Sequence, residues 1–371
     1  MRATRAQVHL GVLKKNVEAI RAYIGSKPLI CMVVKTDAYG HGAVKVAEEG
    51  LRAGAAFLGV ATVDEGAELR KAGISAPIFL FSIPSIEELD ALVSNKITPF
   101  ISDGEFAEAV NSAAGKAGIK LPVHIKIDTG MGRVGCRPED AAKLALYITS
   151  LKSLHYEGTL THFARADSKA AEAINFTKKQ LVIFNEALEE IRKAGLDTGI
   201  VHAANSGAIL LHKDSYFDMV RPGVILYGSP TDELTDICPT KPVMELVSYV
   251  SFIKKVKKGT PISYNGTWTA PEDRIIGTIP IGYGDGLPRR LTNNYQVLIA
   301  GKLYPLVGNI CMDQCMVDLG AVSDVNRWEK VTVFGGNEGA LHASDIASKA
   351  NTILQEVTCG INKRVPRIYF N

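Results

Sequence analysis

Short β-rich runs alternate with helical stretches between about residues 28 and 228, and this alternation constrains the fold more than any other feature of the chain. Several of the helical stretches begin after Asp or Ser and end at Gly, as helix-capping chemistry favours. The apolar runs are PLICMVVK, FLGVA, PIFLFS, ITPFIS, LPVHIKID, LHYEGTLTHF, IVHAANS and DMVRPGVILYG. Eight βα-like units over about two hundred residues predict an α/β fold with an N-terminal (β/α)8 barrel.

A doubly wound sheet is the alternative architecture, but no GxGxxG motif follows the first apolar run. The clearest helix is predicted within residues 168–194, where Leu181, Phe184, Leu188 and Ile191 lie three or four apart on one face. In a barrel, chemistry concentrates at the carboxyl ends of the strands. The residues that follow each apolar run are therefore the first candidates for a functional site.

Helical periodicity fades after about residue 236, and alternating apolar and polar residues replace it. The stretch SPTDELTDICPTKP marks the junction. We therefore predict two domains, a barrel over residues 1–236 and a mainly β domain over residues 237–371. A first strand near residues 3–10 could pack with the C-terminal domain.

Composition excludes several classes of protein. The net charge is +3 in 371 residues, too small to indicate nucleic acid or an anionic membrane surface as a partner. No apolar run approaches the ~18–20 residues of a membrane span. The N-terminus has a basic start without the apolar core of a signal peptide, so we expect a cytoplasmic protein.

Cysteine usage predicts neither a disulfide framework nor a metal site. The six cysteines are irregularly spaced in a large chain, which favours reduced thiols. Cys311 and Cys315 are four residues apart, but no second His or Cys pair completes a zinc set.

Lys35 ends the first apolar run and is the strongest single candidate for chemistry. Desolvation at the end of a buried strand would favour its neutral amine, which can form a Schiff base with an aldehyde. The alternative is a lysine whose side chain extends to solvent. The following Gly-rich turn, with Tyr39 and His41, could serve as a ligand loop.

Ser206, Arg221 and Gly223 follow the last two apolar runs, where barrels build phosphate sites. Ser206 offers a hydroxyl, and Gly223 lets a backbone N–H approach an anion. Arg221 is a fixed cation that would keep a bound pyridine nitrogen unprotonated. Such a ring withdraws electrons weakly, which favours removal and return of one proton over transamination or decarboxylation. The alternatives are turns that need glycine and a surface arginine paired with an acid.

Tyr264, Tyr283 and Met312 with Asp313 lie in turn-like segments of the predicted β domain. A tyrosine hydroxyl can act as an acid or base when cationic neighbours lower its pKa. Because the chain has 12 tyrosines, composition alone does not single one out. Turn chemistry could explain Tyr283, and a strand edge or kink could explain Met312 and Asp313.

These motifs together resemble the alanine racemases of the fold-type III pyridoxal-phosphate enzymes. The resemblance runs from NVEAIR near residue 16 to RVPRIY at residues 364–369. The motifs that carry it are VVKTDAYGHG, DTGMGR, THFA, AANSG, RPG, the SY at residues 263–264, GYGDG and NICMDQ.

The resemblance implies that Lys35 binds pyridoxal 5'-phosphate covalently and acts as the base for the D-enantiomer. Tyr264, supplied by the partner subunit of a homodimer, would be the base for the L-enantiomer. Arg221 would contact the pyridine nitrogen beside His162. The residues implied to bind the cofactor, mostly at its phosphate, are Tyr39, Asn205, Ser206, Gly223, Val224 and Tyr369.

The resemblance also assigns the substrate contacts. Arg133 would lie near the cofactor's phenolic oxygen and the alanine carboxylate, and the backbone of Met312 would bind that carboxylate. Asp313 and Tyr283 would support this loop. Lys126 matches a lysine that is often carbamylated in the family, and its carbamate could orient Arg133.

The chain departs from the family pattern at two positions and leaves other functions open. Asn265 stands where the family usually has glycine, and His9 stands where an acidic residue is common. The expected role is supply of D-alanine for peptidoglycan. The alternatives are a serine or broad-specificity racemase, a fold-type III decarboxylase and a cofactor carrier. Arg221 disfavours decarboxylation, and the residues after Asp236 disfavour a one-domain carrier.

Overall fold

The computed structural model describes residues 2–228, 237–335 and 339–371, and these form two compact units. The barrel unit comprises Leu13–Ala38 and Ala43–Thr240, and the β unit comprises Met1–Val12, Tyr39–Gly42 and Lys241–Asn371. The predicted domain boundary at residue 236 lies outside the described residues.

The chain begins with β1 (Arg5–His9), which belongs to the β unit, and the helix Leu10–Ile24. The strands of the barrel unit are short and nearly all buried. They are β2 (Leu29–Val33), β3 (Phe57–Val60), β4 (Ile78–Leu80), β5 (Ile97–Thr98), β6 (Phe100–Ile101), β7 (Leu121–Lys126), β8 (Leu154–Leu160), β9 (Ile200–His202) and β10 (Met219–Val220).

These strands form two parallel sheets, with the orders β10-β2-β3-β4-β5 and β6-β7-β8-β9. Pro99 separates β5 from β6 because proline cannot donate to the hydrogen-bond ladder. β5 pairs with β4 and β6 pairs with β7, so together they occupy one strand position. Backbone bonds from Asp218 to Val201 and from Arg221 to Ala204 join the other two edges. The predicted (β/α)8 barrel is thereby confirmed.

Amphipathic helices cover the strands of the barrel unit. The predicted helix within residues 168–194 spans Ala171–Lys193 and buries all four of its predicted core residues. Asp103 accepts a hydrogen bond from Phe106 N and caps its helix, as the sequence pattern indicates. The helices are Ala43–Arg52, Val63–Lys71, Leu89–Ser94, Gly104–Lys116, Ala141–Ser150, Ala171–Lys193 and Ser206–Leu211.

The β unit is built on one nine-stranded sheet with the order β12-β15-β18-β17-β16-β19-β11-β1-β20. Its pairs are antiparallel except that of β1 with β20. β13 and β14 form a separate hairpin, and the helices Ala343–Ala350 and Leu354–Cys359 complete the unit. The strands are β11 (Met244–Tyr249), β12 (Phe252–Val256), β13 (Pro261–Ile262), β14 (Trp268–Thr269), β15 (Arg274–Ile279), β16 (Gln296–Ile299), β17 (Lys302–Val307), β18 (Cys315–Asp318), β19 (Lys330–Phe334) and β20 (Arg367–Phe370).

Two negative findings apply to the described part of the chain. No helix there is long and apolar enough to cross a membrane. Within residues 2–228, 237–335 and 339–371, no group of three or more His, Cys, Asp or Glu side chains is arranged to hold a metal ion. The six cysteines are all free thiols.

Candidate active site

Lys35 follows β2 and begins a left-handed turn, Lys35–Tyr39. Thr36, Asp37 and Ala38 have φ values of 55°, 52° and 54°, a run that L-residues rarely adopt. Side chains fix the turn, because Glu65 accepts from Thr36 N at 2.6 Å and Asp37 accepts from Ala43 N at 2.7 Å. Backbone strain held in this way is typical of functional sites.

Lys126 ends β7 and lies against the ring of Phe100, with its amine 4.6 Å from the ring centroid. The side chain is almost fully buried. Burial, with the positive charges of Arg133 and Arg221, lowers the pKa of Lys126 to about 7. The positive charge of Lys35 also contributes to this lowering. A substantial fraction of Lys126 is therefore a neutral amine near neutral pH.

Arg221 is 3% exposed, and the acceptors of its four described side-chain hydrogen bonds are uncharged. It donates to the carbonyls of Thr161 at 2.8 Å and Ala203 at 2.9 Å. It also donates to Nδ1 of His162 at 3.2 Å and Nδ1 of His202 at 3.0 Å. Among the described residues, no carboxylate pairs with this guanidinium. The alternative of a surface arginine paired with an acid is therefore wrong.

The charge of Arg221 is retained at neutral pH, and that of His162 is suppressed. Burial lowers the pKa of Arg221 to about 10, which leaves the guanidinium protonated. Burial and the charges of Arg221 and Arg133 hold the pKa of His162 well below its ordinary value. Because Arg221 can only donate, His162 accepts at Nδ1 and carries its proton on Nε2.

Ser206 and Gly223 meet in the structure, as the sequence predicts for a phosphate site. Gly223 N donates to Ser206 Oγ at 2.9 Å, and Val224 begins the short 3-10 turn Val224–Tyr227. Asn205 orients this corner by accepting from Ala208 N at 3.0 Å and donating to Phe163 O at 3.2 Å. A hydroxyl and a glycine backbone thus lie together beside a retained cation, a combination that suits a phosphorylated pyridine cofactor.

Tyr264 in the β unit is 70% exposed and lies in the 3-10 turn Tyr264–Gly266. Asn309 Nδ2 donates to its carbonyl at 2.7 Å, and Ser263 Oγ donates to Asn309 O at 2.6 Å. Asn265 has φ of 61°, the left-handed conformation that asparagine tolerates better than most residues. The backbone of the turn is therefore fixed while its tyrosine ring stays accessible.

The GYGDG and NICMDQ motifs form one substructure within the β unit. Gly284 N donates to Met312 O at 2.8 Å, and Tyr283 N donates to Cys311 O at 3.0 Å. A side chain at position 282 would collide with the carbonyl of Cys311, so this approach requires glycine. Met312 is 53% exposed and Tyr283 is 43% exposed.

Arg364 joins this substructure to a buried acid, a role that the sequence analysis missed. Its Nε donates to Asp285 Oδ1 at 2.6 Å, and its NH2 donates to Asp313 Oδ1 at 2.6 Å. Asp285 is fully buried and also pairs with Arg2 at 2.6 Å. The signal was present in RVPRIY, but nothing in the sequence connects that motif with GYGDG.

Tyr39 and Tyr369 both belong to the β unit. The hydroxyl of Tyr369 lies directly beside Gly42, where φ is 96° and a side chain would strike it. Burial raises the pKa of Tyr39 to about 12, so its hydroxyl is a hydrogen-bond donor at neutral pH. Their predicted phosphate contacts stay predictions.

The sequence analysis also missed two buried histidines, His124 on β7 and His202 on β9. Their rings are hydrogen-bonded to each other at 2.8 Å, and His202 contacts Arg221. Each histidine lies in an otherwise apolar run, and a polar residue in such a run is the sequence feature that could have identified it.

Comparisons with known proteins agree over the whole chain. The family described as alanine racemase, N-terminal domain, matches residues 8–230, and the alanine racemase C-terminal domain matches residues 243–369. Alanine racemase of Treponema denticola is 47% identical over 376 residues, covering 100% of this chain and 99% of the relative. Alanine racemase of Treponema pallidum is 42% identical, covering 100% of both chains.

Solved structures are similar over the same extent. Alanine racemase from Clostridium difficile 630 has a TM-score of 0.95 at 38% identity, covering 100% of this chain and 96% of the other. Alanine racemase from Bacillus anthracis with bound L-Ala-P has a TM-score of 0.93 at 35% identity, covering 100% and 96%.

Proposed function

The chain belongs to the alanine racemase family and is an amino-acid racemase, and from that premise we propose that it interconverts L-alanine and D-alanine by a two-base mechanism with pyridoxal phosphate. The observation that carries the proposal is Arg221, a buried cation that pairs with no carboxylate among the described residues and precedes Gly223 of the Ser206–Gly223 corner by two residues. A cation in that position suits a reaction that removes and returns one proton.

The residues of the barrel unit fit the cofactor. Lys35 would hold it through its amine, and Ser206 with the backbone of Gly223 and Val224 would hold the phosphate. Arg221 would donate to the ring nitrogen and keep it unprotonated, with His162 beside it. When bound, pyridoxal phosphate supplies a conjugated ring that makes the Cα proton of an attached amino acid acidic.

Arg221 then decides the type of reaction. With the ring nitrogen kept unprotonated by Arg221, a proton taken from Cα by Lys35 or Tyr264 would be returned quickly to Cα. Decarboxylation is better served by a protonated ring, for which an acidic residue would be the suitable partner. The decarboxylase alternative is disfavoured because this position is an arginine without a carboxylate neighbour among the described residues.

Two bases on opposite faces would move the proton. Lys35 Nζ would take or return the proton of D-alanine, and Tyr264 of the partner subunit would take or return the proton of L-alanine. Tyr264 is 70% exposed in a single protomer, which supports its use by a second copy in a homodimer. Arg133 and the backbone N–H of Met312 would hold the substrate carboxylate.

Lys126 has a supporting part in this proposal. Its pKa of about 7 makes the neutral amine available to attack carbon dioxide. The amine would form an N–C bond while one C=O π bond of carbon dioxide opens, and its proton would pass to water. The resulting carbamate would be an anion among the positive charges of Arg133 and Arg221. Tyr283 and Asp313 would support the loop that carries Met312.

The cellular role follows from the product. D-alanine supplied by this reaction would enter peptidoglycan synthesis. We place the reaction in the cytoplasm, and the six free cysteines suit a reducing compartment.

A single experiment tests the proposal. The purified protein is given pyridoxal phosphate and L-alanine in deuterated water, and optical rotation and Cα deuterium are followed. We expect loss of rotation together with deuterium in both enantiomers. Release of carbon dioxide, or no exchange by a protein that has bound the cofactor, would overturn the proposal.

A further inference from the structure

A hydrogen-bonded chain of four side chains leads from Glu157, whose side chain is 28% exposed, into the interior of the barrel unit. Glu157 Oε2 lies 3.1 Å from His124 Nε2, and His124 Nδ1 lies 2.8 Å from His202 Nε2. His202 Nδ1 in turn accepts from Arg221 at 3.0 Å. The chain runs from the middle of β8, through β7 and β9, to the residue that follows β10. The proposed mechanism uses only its last member.

The positions of the protons in this chain follow from its two ends. Arg221 can only donate, so Nδ1 of His202 accepts and its proton lies on Nε2. His202 Nε2 then donates to His124 Nδ1, which leaves the proton of His124 on Nε2. That proton is donated to the carboxylate of Glu157. Burial lowers the pKa of both histidines, so both imidazoles are neutral, as this arrangement requires.

The surrounding residues are shaped to hold the two rings. A side chain at Gly158 would strike both the ring of His124 and the carbonyl of Ile200, so the strand beside Glu157 must have glycine there. The ring of Phe79 packs edge-on against both imidazoles, with centroids 5.0 Å and 5.3 Å away. Both histidines are fully buried, so neither can exchange its protein partner for water.

We propose that Glu157 is a positioning residue that acts through His124 and His202 to hold Arg221 in place without neutralising it. The inference rests on the proposed function, in which Arg221 contacts the ring nitrogen of the cofactor. A carboxylate in direct contact with Arg221 would fix it equally well but would also take up its charge. The neutral imidazoles of His124 and His202 separate the Glu157 carboxylate from the Arg221 guanidinium. Their hydrogen bonds fix the orientation of the guanidinium, and its positive charge stays available to the ring nitrogen.

In this proposal residue 157 must accept a hydrogen bond from His124. Three substitutions separate that ability from the size of the side chain. Glu157→Gln retains an acceptor oxygen of the same reach. Glu157→Ala removes the acceptor. Glu157→Lys offers only donors, which conflicts with the donor Arg221 at the other end and forces two imidazole N–H groups to face each other. Glu172→Ala, at an exposed acid of the same unit, is the matched control.

The first readout needs neither cofactor nor activity. Nitrogen NMR of protein labelled at its 8 histidines reports which ring nitrogens carry protons. We expect His124 and His202 to be protonated on Nε2 only in the wild type, in Glu157→Gln and in the Glu172→Ala control. Glu157→Ala should broaden or shift both signals, and Glu157→Lys should change the pattern. Unchanged signals in all variants would overturn the inference.

The second readout is the partition of the loaded enzyme between racemisation and pyruvate formation. We expect pyruvate per turnover to be unchanged in Glu157→Gln and to rise roughly threefold to tenfold in Glu157→Ala and Glu157→Lys. The thermal unfolding temperature of each variant is measured as well. If pyruvate per turnover correlates with that temperature and not with the ability of residue 157 to accept a hydrogen bond, the inference is overturned. If the NMR signals change as expected and the partition does not, the positioning role stands and the proposed contact of Arg221 with the cofactor fails.

Discussion

The candidate residues of the barrel unit and those of the β unit differ in how deeply the chain buries their side chains. Arg221, Lys126 and Ser206 are each less than a tenth exposed, and hydrogen bonds or packing fix them. Tyr264 and Met312, at 70% and 53% exposure, have fixed backbones but accessible side chains.

This difference matches the two tasks in the proposed reaction. Binding and tuning a cofactor requires groups whose charges and orientations are set before it arrives. A base and a carboxylate contact that serve a second copy must instead remain on the surface until that copy covers them. In the proposed reaction the barrel unit would therefore supply groups that are already buried, and the β unit would supply exposed groups to a second copy.

The largest effect is expected at the base of the barrel unit. Lys35→Ala removes both the covalent hold on the cofactor and one of the bases, so turnover should fall by roughly 10⁴-fold or more. The visible absorbance of the bound cofactor should be lost in the spectrum of the purified protein. Lys193→Ala, at an exposed lysine of the same unit, is the control. Retained racemisation in Lys35→Ala would remove the barrel unit from the chemistry.

The next effect should fall on one enantiomer. Tyr264→Phe keeps the cofactor site, but removal of the second base should slow α-proton exchange of L-alanine by roughly 10²- to 10⁴-fold in deuterated water. D-alanine should still exchange, with retention of configuration, because Lys35 is intact. Tyr304→Phe, at a half-buried tyrosine of the β unit, is the control.

Mixing the Lys35→Ala and Tyr264→Phe variants tests whether Tyr264 acts in the active site of a second copy. In a dimer with shared sites, a hybrid of Lys35→Ala and Tyr264→Phe protomers regains one intact site. Random mixing should restore about one quarter of wild-type activity. Equal slowing of both enantiomers in Tyr264→Phe, or no recovery in hybrids whose formation is verified, would contradict the comparison.

A smaller effect is expected on the stability of the β unit. Asp285→Asn removes the carboxylate that pairs with Arg2 and Arg364. Unfolding in urea should show that the free energy of unfolding falls by roughly 2 kcal/mol. This is less than the loss of a fully buried ion pair would cause, because both arginines are partly exposed. Asp273→Asn, in an exposed pair with Lys257, should change little and is the control. An equal loss of unfolding free energy in both variants would mean that the ion pairs of Asp285 do not stabilise the loop that carries Met312.

The smallest effect, when counted over a single pH unit, is a change in how the free energy of unfolding depends on pH. The pKa of Lys126 is about 7 in the folded protein and 10.5 ordinarily, so between these values the unfolded chain binds more protons. The free energy of unfolding should therefore rise with pH above about 7, by up to about 1.4 kcal/mol per pH unit from this group. Lys126→Met should remove that part of the rise in buffer free of carbon dioxide. Identical slopes in the two proteins would show that Lys126 is not a neutral buried amine.

Sequence patterns could identify the residues that follow each strand, because that rule depends only on the order of elements. Lys35, Arg221 and the Ser206–Gly223 corner were found in this way, and the alternation of strands and helices predicted the barrel. The side chains linked to Arg221 through His202 could not be predicted, because His124, Glu157 and His202 lie on three neighbouring strands whose pairing and register the sequence does not give.

Long-range pairing in the β unit limited prediction in the same way. Arg364 and Asp285 are 79 residues apart, and neither residue type indicates the other. The run ITPFIS predicts one strand, whereas Pro99 divides it into β5 and β6, since a residue without an N–H cannot continue the ladder. Local chemistry was therefore predictable, and contacts between distant segments were not.

The place of β1 in the sheet has a consequence for how the fold is acquired. Its two neighbours are β11 and β20, which are distant from it along the chain, so that Arg5 pairs with Val247 and Ala6 pairs with Arg367. Pairings of such high sequence separation form late, because the entropy of closing a long loop is lost before the contacts are gained. A partly folded chain therefore exposes β1 as an open strand edge, which is a hazard for association with other chains.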